Sequence, residues 1–219
     1  MHEIENDGTL GGPGCPSPVS RYQFLVDTYA TEIEKVLGVW AMFDDADLLV
    51  RPNPDDTRGR NLLEHMVHQG LSENFWFSSM LDIKVTDSPL PAVETRINFM
   101  ALYRHHAGMR LRILASKPDA WWEGETDFFE VPRSRAWVVT RRIAHTAHHR
   151  GQQTTILRVL GRYLHSTYGP TADTGGLMQH RAPVIYAYSD LETLMREESG
   201  ARGKNPLPPH GDRPLTERP

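Results

Sequence analysis

The reading of this chain turns on Arg141-Arg142-Ile143-Ala144-His145-Thr146-Ala147-His148-His149-Arg150-Gly151-Gln152-Gln153, which holds three of its eleven histidines. The stretch lies inside a segment that reads as one helix from about Ser134 to Arg162. On a helix, residues four apart stack one turn above the other, so His145 and His149 share a face. Two imidazoles so placed can reach one metal ion, and a tight site needs a third ligand from elsewhere. The same face carries Val138, Arg141, Gln152, Ile156 and Leu160. It is apolar at its ends and polar in its middle. Polar groups set into an inward stripe cost stability unless each finds a partner, so the middle of the stripe marks a candidate site.

Upstream, Ser20 reads as an N-cap. Tyr22, Leu25, Tyr29, Ile33, Val36 and Trp40 then recur at helical steps, giving a first helix over 20–43. Residues 44–60 are acidic and turn-rich, with Asp44, Asp45, Asp47, Asp55 and Asp56, and fit no calcium-loop spacing. They read as a solvated connection. Asn61 and Glu64 form a capping box that opens a second helix running to Leu81. It carries His65 and His68, and His68 shares its face with Glu64, Leu71, Ser72 and Phe75. Taken alone, a histidine on such a face is more often a core residue than a ligand.

A third helix is expected over 92–116, with Pro89 and Pro91 at its start and Val93, Ile97, Met100, Ala107, Leu111 and Leu114 as its buried stripe. The neighbours His105 and His106 point about 100° apart on a helix and cannot chelate as a pair. Trp121-Trp122 and Phe128-Phe129 make 117–133 too apolar to hang in solvent. This segment should pack over the helices as a loop or short extended piece, with a lid role and plain packing both open. Ser134 is a fair N-cap for the helix that carries the histidines. Beyond an irregular 163–188, Ser189-Asp190-Leu191-Glu192 reads as a capping box opening a short helix to Glu198. Glycine and proline make 1–19 a loose leader, and the charged, proline-rich chain from Ala201 reads as disordered tail. Residues 20–200 are thus one domain. The periodicity is helical throughout, with no run of alternating strands. Four long amphipathic helices suggest an all-α four-helix bundle with a short extra C-terminal helix.

The net charge of −4 over 219 residues argues against a general nucleic-acid binder. The local cluster Arg133, Arg135, Arg141, Arg142 and Arg150 reads, for the most part, as a solvated helix face. The single cysteine, Cys15, permits no intrachain disulfide and suits a reducing compartment. The acidic N-terminus is not a secretory signal, and no apolar run approaches the roughly 18 residues of a membrane helix. A cytoplasmic protein without membrane or nucleic-acid partners is expected.

His145-Thr146-Ala147-His148-His149-Arg150-Gly151-Gln152 resembles the HxxxHRGQ signature of the DinB/YfiT-like superfamily. Met66-Val67-His68-Gln69-Gly70-Leu71-Ser72-Glu73-Asn74-Phe75-Trp76 resembles its second-helix motif, a histidine followed by an acidic residue and aromatics. The resemblance covers about Ser20 to Arg162. It implies an up-down-down-up four-helix bundle, often a homodimer, with a divalent metal on three histidines, here His68, His145 and His149. His148 and His65 are their local rivals, by helix spacing and by position. Zinc and nickel are the metals expected first, since imidazole accepts both.

Three neutral imidazoles leave part of a metal's coordination sphere open, unlike the four-ligand structural zinc sites. An open site can activate a low-molecular-weight thiol for attack on an electrophile, or water for hydrolysis. The thiol reading is preferred because the resembled superfamily includes thiol-dependent transferases and a mycothiol-dependent isomerase. A non-catalytic, metal-stabilised stress-response or binding module is the third reading. Arg141, one turn before His145, is placed to hold an anionic substrate group. Gln152 flanks His149, Glu64 and Ser72 flank His68, and His148 is the one candidate general base. Arg141, Gln152, Glu64 and Ser72 each have an equally good structural role in a salt bridge or hydrogen bond, and His148 reads as simply as an exposed histidine.

Overall fold

A computed structural model of the chain describes residues 19–85, 87–209 and 211. The leader up to residue 18, Cys15 within it, and the tail from 212 lie outside the described residues. The elements in order are α1 (Gln23–Met42), α2 (Leu62–Phe75), a π-turn (Trp76–Met80), α3 (Arg96–Ala115), a short α4 (Asp119–Glu123), strands β1 (Glu125–Phe128) and β2 (Val131–Ser134), α5 (Arg135–Val159) and a short α6 (Leu191–Glu198).

One apolar core runs through the four long helices. Val36, Leu37 and Trp40 of α1, Met66 of α2, Met100 of α3 and Val138 and Leu157 of α5 have no exposed surface. Each such side chain stabilises the fold by about 1.5–3 kcal/mol through burial. α1 is the central element: its buried positions 25, 26, 29, 33, 36, 37 and 40 follow the helical step read from the sequence. Trp122 of α4 seals one end, stacked on Tyr22 at 5.6 Å.

Several local expectations change. Ser20 does not cap α1. Its Oγ donates to Asp119 Oδ1 at 2.6 Å and accepts from the Tyr22 amide, while Tyr22 takes the N-cap position without a side-chain bond. Asn61 does cap α2, with Glu64 completing the box, and Ser134 caps α5. α3 starts at Arg96 with Thr95 as its cap, so Val93 lies before the helix and is exposed. The two prolines set the connector and not the helix start. Asp190 caps α6, and Ser189 supports it from outside.

The acidic connection after α1 is not simply solvated. Asp47 is buried and pairs with Arg162, Asp44 pairs with Arg162 and Arg202, and Asp45 pairs with Arg96. The first residues of the expected tail are likewise tied down. Arg202 and Lys204 reach the buried Glu198, and the Asn205 amide donates to the Ala187 carbonyl. The acidic run reads as solvated because its partners Arg96, Arg162 and Arg202 lie 51–158 residues away in the chain.

The chain is also not helical throughout. β1 and β2 pair antiparallel, Glu125 opposite Ser134 and Phe128 opposite Val131. Each strand has four residues, too few for an alternating pattern to register. The two-residue turn between them is Phe129-Glu130, with φ of 47° and 69°. That is type I′ geometry, which usually announces itself as Asn-Gly. The expectation of a short extended piece packed over the helices matches this hairpin. Among the described residues no helix is long and apolar enough to cross a membrane.

Candidate metal centre

His68, His145 and His149 each offer a ring nitrogen within 4.8 Å of the other two. α2 supplies the first and α5 the others. His145 and His149 are brought together by their four-residue spacing, and their Nε2 atoms lie 3.0 Å apart. His68 comes from across the helix pair, its ring centroid 4.6 Å from that of His149 and 5.6 Å from that of His145. The pairing of the helices sets this convergence. Ser72 of α2 meets Arg142 of α5 at 2.9 Å, and Gln69 of α2 meets Gln153 at 2.5 Å.

The donor set fits a divalent ion. Two nitrogens about 2.0–2.1 Å from one cation lie about 2.9–3.4 Å apart for bond angles between square and tetrahedral, and the observed pair falls in that range. All three rings are held neutral. Burial first, then the neighbouring Arg142, His149, His68 and Arg141, push His145 down to about 3. Burial also lowers His149, to about 4, against a raising hydrogen bond from Gln152, with further lowering from His68, His148 and Arg60. His68 is lowered by burial, Arg60 and Arg142. Neutral imidazole is the form that binds a metal.

The groups around the rings differ from the sequence expectation in instructive ways. Gln152 behaves as expected: its Oε1 accepts from Nδ1 of His149 at 2.8 Å. An acceptor on the far nitrogen directs the other lone pair toward a metal. Arg141 is exposed, and the buried guanidinium beside His145 belongs to Arg142, whose Nη1 is 3.1 Å from Nδ1. Arg142 and Arg150 are fully or nearly fully buried, so neither lies on a solvated face. Spacing could not choose between Arg141 and Arg142, since both lie within one turn of His145.

Behind the centre, Glu73 has no exposed side-chain surface and collects several donors. Arg110 approaches at 3.0 Å, Arg142 at 3.7 Å, and the hydroxyls of Tyr29 and Tyr103 at 2.6 and 2.8 Å. A buried carboxylate would be costly alone, and two guanidiniums and two phenols make it tenable. Sequence reading had Glu73 only as a motif letter. Its partners sit on α1, α3 and α5, and nothing in the local pattern announces them.

The remaining candidates fall outside the cluster. His148 is exposed and lies 5.0 Å, ring to ring, from His149. Glu64 pairs with Arg51 and closes the cap of α2. Ser72 serves Arg142. His65 is 3 % exposed with its ring 5.6 Å from that of His149, and it is not one of the converging set. His105 is exposed and His106 is buried, consistent with no chelating role for the pair. Trp76, at the start of the π-turn, stacks its ring on His145 at 5.5 Å with 3° between the planes. That contact was not anticipated, although π-turns favour functional sites.

The model of the DinB family matches residues 25–178, about two thirds of the chain and all three converging histidines. The chain belongs to the DinB family. Two solved DinB-like proteins share its fold. One from Bacillus cereus ATCC 10987 is 19 % identical, with a TM-score of 0.59 over 67 % of this chain and 97 % of its own. One from Bacillus subtilis is 11 % identical, with a TM-score of 0.50 over 64 % of this chain and 94 % of its own. Among curated proteins no match is found. In this DinB-family chain the signature histidines are thus the ones the fold brings within reach of a single ion.

Proposed function

We propose that this DinB-family chain is a metal-dependent enzyme whose three-histidine centre activates a low-molecular-weight thiol for transfer to an electrophile. The observation that carries the reading is the charge around the rings. His68, His145 and His149 bring no negative ligand, and Arg60, Arg141 and Arg142 all act on them as neighbouring cations. Such surroundings favour an anion in any remaining coordination position. A divalent ion held there supplies Lewis acidity, enough to keep a bound thiol ionised at neutral pH.

The chain's own groups do the rest. Gln152 fixes the His149 ring, and Trp76 covers one face of His145 and keeps water from it. The exposed Arg141 is free to meet an anionic group of a substrate, the role first assigned to it. Zinc or nickel is the metal of this reading, and a homodimer in the cytoplasm is its setting. The reading also takes α1, α2, α3 and α5 as an up-down-down-up bundle within one domain spanning 20–200. It is supported by Met66 of α2 lining one cavity with Phe99 and Tyr103 of α3, and by Glu73, two turns on, meeting Tyr103 and Arg110.

The test is metal analysis of the purified protein followed by a transfer assay. Cysteine and glutathione are offered as thiols with 1-chloro-2,4-dinitrobenzene as electrophile, with and without chelator. Transfer that needs both the metal and His145 supports the reading. Metal-dependent release of nitrophenol from an ester, without thiol transfer, would favour hydrolysis. A bound metal whose removal only lowers the melting temperature would leave a non-catalytic module.

A further inference from the structure

Beside the histidine centre stands a row of aromatic rings, a wall packed at its inner end and exposed at its outer end. It starts at Trp76, stacked on His145. Phe128 and Phe129 stand edge-on to Trp76, at 5.1 and 6.2 Å between ring centroids. Phe75 stacks on Phe129 at 6.4 Å. Trp76 is 7 % exposed, whereas Phe75 and Phe129 are 51 % and 60 % exposed. The inner ring is packed, and the outer two, stacked on each other, keep half their surface in water.

The hairpin that presents Phe129 goes against local preference to do so. Phe129 and Glu130 both have positive φ, where Asn, Asp or Gly would be relaxed. Bulky residues held in that region cluster at ligand clamps. The hairpin's position is fixed at its base. Thr126 Oγ1 donates to the Met80 carbonyl at 2.5 Å, and the Arg135 amide to the Gly124 carbonyl at 3.0 Å. The Phe129 ring is therefore held beside Phe75.

We infer that Phe75, Trp76 and Phe129 form a subsite for a planar aryl group on the small molecule whose polar end reaches the histidine centre. The inference rests on the metal-centre reading above and names the class of ligand that centre takes. The occupant follows from continuity: the wall begins on the ring of His145, so a flat group lying along it carries its attached polar group toward the three nitrogens. Aryl groups suit it because these rings already meet one another at 5.1–6.4 Å, within the range for aromatic pairs. A second copy of the chain seated on this face would instead cover the approach to His145.

The test compares two chelators on the full, zinc-loaded chain by calorimetry: acetohydroxamate and 3-phenylpropionohydroxamate, which share a metal-binding group and differ in the aryl arm. The aryl probe is expected to bind about tenfold more tightly, the size of one good aromatic contact. In Phe129→Ala and in Phe75→Ala the ratio of the two affinities should fall toward one. Phe129→Asn relaxes the turn and should raise the melting temperature while still losing the ratio, which separates lost contact from lost fold. Equal affinity of both probes for the unaltered chain, or a ratio that survives both alanine variants, overturns the subsite and leaves the metal centre standing. Binding of neither probe overturns both. Conversion of a dimer to a monomer by Phe129→Ala, seen by light scattering, would assign the wall to a second copy and overturn the subsite.

Discussion

Arg142 donates from Nη1 to Nδ1 of His145 across 3.1 Å. A guanidinium has no acceptor, so Nδ1 presents its lone pair and the proton of the neutral ring sits on Nε2. That proton points at Nε2 of His149, 3.0 Å away, whose own proton is on Nδ1 facing Gln152. To ligate through Nε2, His145 must move its proton to Nδ1, and Arg142 must turn toward Ser72, Thr146 and Glu73, which it already touches. Replacing the cation should therefore ease protonation. In Arg142→Gln the His145 pKa is expected to rise from about 3 and to stay below 6.5, because burial, the larger cause, remains, followed by ring-proton chemical shifts in the metal-free protein.

Loss of a converging ring should cost more than loss of its support. His145→Ala or His149→Ala is expected to weaken metal binding by more than about 100-fold, and Gln152→Ala by about 10–100-fold, the usual effect of removing an outer hydrogen-bond partner. His148→Ala and His65→Ala should leave the stoichiometry intact. Competition with a chromogenic chelator measures all five. Equal losses from His148 and His149 variants would show that spacing, and not the fold, had chosen the wrong pair.

Glu73→Gln should destabilise the protein strongly. It leaves Arg110 and Arg142 buried without their anion, and breaking such a pair from one side costs about 3–5 kcal/mol. Urea unfolding reads this directly. A loss under about 1 kcal/mol would mean that water reaches the guanidiniums.

Acid should weaken the metal-free fold. His65 and His149 titrate at about 4 in the folded chain against 6.5 in the reference state, chiefly because burial disfavours the charged ring. Between those values the unfolded chain binds more protons, so stability rises with pH across that window. The contribution is complete above pH 6.5 and is lost as pH falls through 4. The urea midpoint should drop steadily from pH 7 to pH 4, and a flat midpoint would contradict the burial of these rings. For the same reason the metal should stay bound below pH 6.5 and leave only near pH 4.

Removing the Asn61 cap tests how α2 is anchored. Its side chain accepts from the Glu64 amide at 2.9 Å, and the Glu64 carboxylate accepts from the Asn61 amide at 3.0 Å. Asn61→Ala should cost about 0.5–2 kcal/mol and loosen His68 seven residues on, so metal affinity should fall together with the unfolding midpoint.

The helices and the stacked pair His145 and His149 were legible because both are written in local periods. Apolar residues at three- and four-residue steps announce α1 and α5, and the four-residue interval alone stacks His145 over His149. The capping boxes at Asn61 and the cap at Ser134 are similarly local, since a cap is a bond between residues three apart. The third converging ring needed the family motif, for nothing within α2 distinguishes His68 from His65. What stayed hidden depends on contacts between distant residues. The choice of Arg142 over Arg141 is made by the rotation of α5 against α2, which puts one guanidinium on Glu73 and leaves the other in water. The acidic run after α1 reads as solvated because its partners Arg96, Arg162 and Arg202 are distant in the chain. The hairpin at 125–134 has strands of four residues and a Phe-Glu turn, so its packing against Trp76 and Trp137 and the Thr126 bond to Met80 hold it in place. The sequence by itself determined where the long helices lie, to within a few residues at their ends, and the pair of stacked histidines, which short-range hydrogen bonds and the helical period impose. Tertiary packing decided which charges are buried, which ring completes the centre and what covers it, because those depend on the relative rotation of helices that only the shared core sets.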